Sequence, residues 1–367
     1  MNPATLEALL DGLPRQTVAV LGDFCLDRYM VIDPGIVERS LETGLPVKGV
    51  TAVRNSPGGA GAVSANLAAL GVGRVIPVGL VGGDGEGFEL LRLLGRMGLD
   101  LGCLRQSDSR LTPTYLKPVV AEPGGGEREL GRLDIRSREA LGAGEERVLL
   151  ADLAAAAEGA GALVVSDYLE AGVVTPVMRQ AVADLARRWP AKPVLVDSRH
   201  HLGGFPGCSL KPNAREFAEL VGRGEKVSGT FCAQHPEGPS RQKVPDTFSP
   251  LEELAGQARA AAARAGRPIF ITLGARGVLA AAAGQSWHLP AFPQRGPIDP
   301  VGAGDSVLAA LAAALAAGAA VPDAALLAVL VASLTVEQLG TTGTAGPASV
   351  RRRFAQYARE FPELAGP

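Results

Sequence analysis

The chain has 367 residues, 47% hydrophobic and 20% charged, enough apolar material for one large α/β domain or two ordinary ones. Its 36 basic and 38 acidic residues leave a formal charge of −2, which removes any global electrostatic case for nucleic acid or an anionic membrane as partner. Only 4% of residues are aromatic while alanine and glycine abound, so a core of small aliphatic side chains is expected. Cys25, Cys103, Cys208 and Cys232 are far apart and show no CxxC or His-paired spacing. That usage reads as a reduced, cytoplasmic protein without a zinc site. Met1–Leu13 carries Glu7 and Asp11 and lacks the basic-then-apolar order of a signal peptide.

Thr17–Leu21, β-branched and apolar, predicts a buried strand ending at Gly22-Asp23. Residues 28–55 change character: short apolar segments (Tyr29–Ile32, Pro46–Val53) are punctuated by Pro34, Gly35, Gly44 and Pro46, which suggests short strands projecting as a lid. Ser56-Pro57-Gly58-Gly59 then opens a helix from about Ala60 to Leu70. Strand Val75–Val81, helix Gly87–Met97 and strands Thr114–Val120 and Glu129–Leu133 follow. Helix Glu145–Glu158 precedes strand Ala162–Ser166, and helix Pro176–Arg188 precedes strand Pro193–Asp197. Strand Cys208–Lys211 leads to helix Ala214–Val221, and helix Leu251–Ala265 leads to strand Ile269–Thr272. Residues 222–250, rich in Gly, Pro, Ser and charge, read as a long surface loop. The apolar run 307–336 is cut by Gly318, Pro322 and Asp323 into two pieces too short to cross a bilayer of about 30 Å. Alternating strands and helices predict a mostly parallel sheet covered on both faces, with ligands collecting at the carboxyl ends of the strands. One domain of residues 1–367 with a lid fits this pattern better than two domains.

Several short stretches carry chemistry. In Asp299-Pro300-Val301-Gly302-Ala303-Gly304-Asp305, a small, sharply turning backbone runs into an apolar helix. The positive end of that helix suits a phosphate, and Asp305 in the first turn is positioned to take a proton from an attacking hydroxyl. A glycine-rich helix start capped by Asp is the plainer alternative. Gly58 and Gly59 allow close approach to a sugar hydroxyl or phosphate, or merely a tight turn. Asp23 and Asp27 follow the first strand; either binds a polyol or simply caps or faces solvent. Asn213 and Glu216, in Lys211-Pro212-Asn213-Ala214-Arg215-Glu216, share one face of a helix's first turn. They are hard ligands for Mg²⁺ directly or through water, and equally a capping box. Thr272, Gly274 and Gly277 either line nucleotide phosphates or form a turn between strands Ile269–Thr272 and Val278–Ala283. Asp299 offers a carboxylate to a monovalent cation, or is a turn residue before proline.

The order of these pieces, a Gly-Gly helix start, PNxxE, TxGxxG and GAGD, carries more than any one of them. From about Val18 to Thr344 the chain resembles the ribokinase-like (PfkB) carbohydrate kinases. It is most similar there to the heptose-7-phosphate kinase branch, the kinase half of bifunctional lipopolysaccharide-heptose enzymes. Carrying the resemblance are Gly22-Asp23 with Leu26-Asp27-Arg28-Tyr29, Pro57-Gly58-Gly59-Ala60, Gly131-Arg132-Leu133-Asp134, Ser166-Asp167-Tyr168 and Val196-Asp197. Lys211-Pro212-Asn213 with Glu216, Gly302-Ala303-Gly304-Asp305 and Leu339-Gly340-Thr341 complete it.

The resemblance implies a three-layer α/β sandwich with a mostly parallel central sheet and a small β-strand lid. It implies ATP-dependent phosphorylation of a sugar or sugar phosphate, with Asp305 as base and the amides of Gly302, Ala303 and Gly304 as anion hole. Asn213 and Glu216 would organise Mg²⁺–ATP, while Thr272, Gly274 and Gly277 would line the nucleotide. Asp27, Gly58 and Gly59 would hold the sugar, Asp167 would lie on the substrate side, and Arg39 would meet the sugar's own phosphate. K⁺ near Asp299 and a homodimer through the lid belong to the same expectation. The chain departs from the pattern at Ala62, Glu170, Ser198 and Val301, and lacks an Asn in Ala324–Leu334. Most of these departures fall around substrate and adenine, not the base. They keep open a non-catalytic sugar- or nucleotide-sensing module and a kinase for a nucleoside or vitamin-like acceptor. With about 25 residues after Thr344, no nucleotidyltransferase half is expected.

Overall fold

The computed structural model describes residues 1–122, 126–222 and 251–365; the expected loop at 222–250 lies, but for Gly222, outside them. In chain order the strands are β1 Thr17–Gly22, β2 Phe24–Arg39, β3 Pro46–Gly59, β4 Arg74–Gly82, β5 Leu104–Ser107, β6 Thr114–Ala121 and β7 Glu127–Glu129. There follow β8 Leu133–Ile135, β9 Ala162–Asp167, β10 Val194–Ser198, β11 Ser209–Leu210, β12 Ile269–Thr272, β13 Val278–Ala282 and β14 Gln285–Leu289. The helices are α1 Pro3–Gly12, α2 Ala60–Ala69, α3 Gly85–Arg96, α4 Ala143–Gly159, α5 Pro176–Arg188 and α6 Ala214–Gly222. The rest are α7 Leu251–Ala265, α8 Ala303–Ala316, α9 Val321–Thr335, α10 Pro347–Glu360 and the short α11 Pro362–Ala365.

Among the described residues the strands form two sheets. The larger runs β14-β13-β12-β11-β10-β9-β1-β4-β5, parallel except for the antiparallel β12–β13–β14 edge. Alternation along β1 explains its two covered faces. Val18 and Val20 pack into a cluster with α2, α8 and α9, while Ala19 and Leu21 pack against residues of α4 and α5 on the other side. Helix α8 is buried through a run of alanines and leucines from Val307 to Ala314, and it packs against the equally apolar α9. Small side chains let these two helices approach closely, which is why so aromatic-poor a chain still builds a continuous core. No helix among the described residues is long and apolar enough to cross a membrane. Cys25, Cys103 and Cys208 are free, and Cys232 lies outside the described residues.

The smaller sheet, β3-β2-β6-β7 with β8 also on β6, is more extensive than the sequence suggests. Its first two strands are long and antiparallel, and they absorb Pro34 and Gly35 at register shifts between Val31, Ile32 and Val37. Strand β6 pairs parallel to β2, setting Tyr115 beside Asp27 and Lys117 beside Tyr29. The expected strand at Glu129–Leu133 is instead two short ones, separated at Gly131 with its φ of 159°. Gly58 and Gly59 end β3, and Gly59 is also the N-cap of α2, which begins at Ala60 as expected. Beyond Ala282 the chain turns through Ala283 (φ 49°) and Gly284 (φ 78°) into the unexpected edge strand β14. Strand β5 and helices α1 and α10 also carried no clear sequence signal.

Candidate active site

Because β1, β9, β10 and β11 are parallel, their carboxyl ends lie along one side of the large sheet. Asp23, Tyr168, Arg199 and Lys211 each follow one of those ends. Facing them is one side of the small sheet, where the period of two brings Asp27 and Tyr29 of β2 together with Tyr115 and Lys117 of β6. A cleft of about 1360 Å³ lies between, lined also by Gly59, Asp299–Gly302, Gly304, Asp305 and Leu339–Thr342 segments.

Asp305 sits in the first turn of α8, whose N-cap Gly302 adopts the left-handed region (φ 78°). The residue is 6% exposed. Tyr168 Oη donates to its Oδ1 at 2.8 Å. Burial pushes the Asp305 carboxyl from an ordinary 3.8 up to about 7; the Tyr168 hydrogen bond and Lys211 work against that rise, while Asp197 and Asp27 add to it. Such a carboxylate is poised as a general base near neutral pH. Lys211 is buried and ion-paired to Asp197 at 2.9 Å; burial lowers its pKa, but Asp197, helped by Asp305 and Glu216, more than offsets that, so it holds its proton. A Cβ added to Gly304 would lie 3.6 Å from Lys211 Nζ, so the ammonium is directly beside the head of α8. Helix starts leave first-turn amides without intrahelical acceptors, which together with this ammonium makes an anion-binding corner. The Ala303 amide is already engaged, donating to Pro300 O at 3.1 Å.

On the opposite wall Asp27 is buried and paired with Lys117 at 2.7 Å, and Lys117 also donates to Tyr29 Oη at 3.2 Å. The two glycines beside it are sterically required. A Cβ on Gly58 would lie 2.6 Å from Asp27 Oδ2, and one on Gly59 2.5 Å from the Asp23 carbonyl.

The remaining candidates stand elsewhere. Asn213 and Glu216 form the reciprocal capping box: Asn213 N donates to Glu216 Oε2 at 2.8 Å, and Glu216 N to Asn213 Oδ1 at 2.9 Å. Glu216 is raised above its ordinary value mainly by burial, with Asp197 adding and Lys211 opposing, so it lies within electrostatic reach of the Lys211–Asp197 pair. Thr272 pairs with the Pro212–Asn213 backbone, and Gly274 and Gly277 form the turn from β12 to β13. A Cβ on Gly277 would come within 2.0 Å of Leu289 O, so close backbone approach demands that glycine. None of Asn213, Glu216, Thr272, Gly274 or Gly277 lines the cleft. Asp167 is buried one residue before Tyr168, its Oδ2 accepting from Ser198 Oγ at 2.6 Å and lying 3.0 Å from His201 Nδ1. Asp299 spends one oxygen on each of the Val301 and Gly340 amides. Arg39 lies toward the exposed tip of the β2–β3 hairpin, donating to Gly44 O. At a strand rise of about 3.3 Å, residues 27 to 39 span on the order of 40 Å, so Arg39 does not join this chain's cleft. Sequence reasoning named Tyr168, Arg199 and Lys211 only as parts of motifs and missed Lys117. The one available signal was polar residues two apart, Tyr115 and Lys117, in an otherwise apolar strand.

The family model described as pfkB family carbohydrate kinase matches residues 18–347. Among curated relatives, the bifunctional protein HldE of Caulobacter sp. (strain K31) is 35% identical over 348 residues, covering 92% of this chain and 62% of that protein. The bifunctional protein HldE of Geobacter metallireducens is 33% identical over 353 residues, covering 95% and 65% respectively. This chain thus spans less than two thirds of the length of either. Escherichia coli phosphofructokinase-2 in complex with substrates and products superposes with a TM-score of 0.70 at 20% identity, covering 94% of this chain and 100% of that one. Arabidopsis thaliana ribokinase complexed with ribose and ATP gives 0.62 at 19%, covering 92% and 98%. The fold is ribokinase-like.

Proposed function

This chain belongs to the pfkB family of carbohydrate kinases, and from that premise we propose that it transfers the γ-phosphoryl group of ATP to a hydroxyl of a sugar or sugar phosphate, with heptose 7-phosphate the favoured acceptor. The observation that carries the reading is the buried Asp305 at the head of α8, facing a cleft whose other wall is the small sheet. Asp27, Gly58 and Gly59 hold the acceptor, aided by Lys117. Asp305 takes the proton of the attacking hydroxyl. The amides of Gly302 and Gly304 and the Lys211 ammonium stabilise charge on the transferring group, the Ala303 amide being spent on Pro300 O. Asn213, Glu216, Thr272, Gly274 and Gly277 serve the nucleotide side. Each capping-box side chain uses one oxygen on the backbone, leaving Glu216 Oε1 for Mg²⁺ through water. Mg²⁺ supplies charge neutralisation on the phosphates.

The choice of acceptor rests on the HldE relatives, whose matched portion this chain spans. Cytoplasmic residence follows from the donor, ATP. The β2–β3 hairpin exposes Val37, Leu41, Leu45, Val47, Val50 and Val53, and we assign to it the seam of a homodimer. The test is ADP release against a panel of sugars and sugar phosphates. Turnover is expected with a phosphorylated heptose and should collapse in Asp305→Asn. Calorimetric sugar binding with no ADP release from any acceptor would instead mark a sensing module.

A further inference from the structure

Tyr168 is the first residue beyond β9, and the chain from 168 to 173 is wrapped around one buried carboxylate. Asp23 Oδ2 accepts from the amides of Tyr168 (2.9 Å) and Leu169 (2.8 Å), and Asp23 Oδ1 from that of Val173 (2.9 Å). The wrap is tight enough that a Cβ on Gly172 would come within 2.3 Å of Asp23 Oδ1. The Tyr168 ring is fixed from outside by Arg199, whose guanidinium carbon lies 4.6 Å from the ring centroid. Backbone and ring are therefore both held, and the phenol they deliver ends on Asp305 Oδ1.

Building on the assignment of Asp305 as base, we propose that Tyr168 is a positioning residue. It fixes the Asp305 carboxylate through Oδ1, leaves Oδ2 to receive the acceptor's proton, and holds the carboxylate in its ionised form. Asp23 acts one step further back, by clamping the segment that carries Tyr168.

The groups facing Asp305 come from every element packed around it: Tyr168 after β9, Asp197 of β10, Lys211 after β11, and Asp27 with Cys25 of β2. Asp197 and Asp27 are acids that disfavour a further negative charge. Lys211 favours it, but its closest partner is Asp197 at 2.9 Å. Tyr168 alone reaches Asp305 by a hydrogen bond in this set, and it is the largest influence holding the carboxylate ionised against burial. Burial, followed by the charge of Asp305, drives the phenol's own pKa well upward, so Tyr168 keeps its proton across the working range. The proton of the acceptor hydroxyl ends on Asp305 and none passes to Tyr168.

A base must be ionised to act, so activity falls as pH falls through its pKa. Removing a donor to the carboxylate raises that pKa. In Tyr168→Phe the acid limb of kcat should move to higher pH by about one unit, given the strength of a hydrogen bond to a charged group. KM for acceptor and for ATP should stay within about two-fold, since Tyr168 works through Asp305. Site-specific 3-fluorotyrosine at 168, a stronger donor of nearly the same shape, should move the limb to lower pH, and it carries the test if the Phe variant fails to fold. A limb unmoved by either substitution, or a raised acceptor KM with an unmoved limb, overturns the proposal. Turnover in Asp305→Asn equal to wild type overturns the underlying reading instead. Loss of turnover in Asp305→Asn beside an unmoved limb at Tyr168 overturns this inference alone.

Discussion

Replacing Asp305 with asparagine should abolish phosphotransfer and make the protein more stable. The carboxyl is raised from 3.8 to about 7 in the fold, chiefly by burial. A group whose folded pKa lies above its unfolded value stabilises the fold while protonated, and that contribution is lost as pH rises through about 7. By pH 8 the ionised form costs the fold about 4 kcal/mol, from roughly three pK units at 1.36 kcal/mol each. At pH 5 the folded carboxyl is protonated while the unfolded one is ionised, and the cost is about 2 kcal/mol. Asparagine has nearly the same shape, keeps an oxygen for the Tyr168 hydroxyl, and carries no charge. An unfolding entropy of about 2.1 cal/mol/K per residue then converts these figures to a Tm gain of at most about 5 °C at pH 8 and about 2 °C at pH 5. Differential scanning calorimetry of both proteins at the two pH values reads this directly, beside an ADP-release assay. A variant no more stable than wild type at pH 8, or a gain equal at both pH values, refutes the claim that the fold holds a strained carboxylate there. Stability gained with activity lost is the signature of a residue kept for chemistry.

Two further substitutions separate the walls of the cleft. Gly58→Ala puts a methyl 2.6 Å from Asp27 Oδ2, so that carboxylate must shift and its bond to Lys117 is strained; acceptor KM should rise at least about ten-fold, equivalent to about 1.4 kcal/mol, with ATP KM unchanged in steady-state kinetics. Lys211→Met leaves Asp197 without its partner beside Asp305, which should cost about 3–5 kcal/mol of stability in urea unfolding. The same change removes a charge that favours ionised Asp305, so the acid limb of kcat should move upward.

What could be read from the sequence was local, and what escaped it joins distant segments. The Gly302–Asp305 turn announces itself because a left-handed glycine and a helix start are properties of a few consecutive residues. Asn213 and Glu216 were equally visible, and the capping bonds that their spacing allows do form, without deciding the metal reading of the same residues. The Tyr168–Asp305 bond spans 137 residues, and the register of β6 on β2, which sets Lys117 beside Tyr29 and within reach of Asp27, joins segments far apart in the chain. No periodicity within one segment contains that information. Pro34, Gly35 and Gly44 looked like the ends of short strands. At the exposed end of a two-stranded ribbon a register shift or a turn accommodates them, and β2 runs on to Arg39. The β14 edge was hidden for the opposite reason: Gln285, Ser286 and His288 make a strand with little apolar signature, held by its ladder to β13.

The small sheet has one further consequence. Its hairpin leaves and rejoins the body at almost one point, between Asp23 and Phe24 and again at Gly59 and Ala60, where the Ala60 amide bonds the Asp23 carbonyl at 3.0 Å. Asp27, Gly58, Gly59 and Lys117 therefore form one wall, which Arg28 and Asn55 tie to Glu86 and Glu89 of α3, while Asp305 and Lys211 belong to the other. The distance between two such walls sets the length of what can touch both. A sugar acceptor of the kind proposed would reach both walls, whereas a water molecule, which can also attack a phosphoryl group, is too short to do so. On the proposed function, the spacing of the two walls would therefore count against wasteful hydrolysis of the donor.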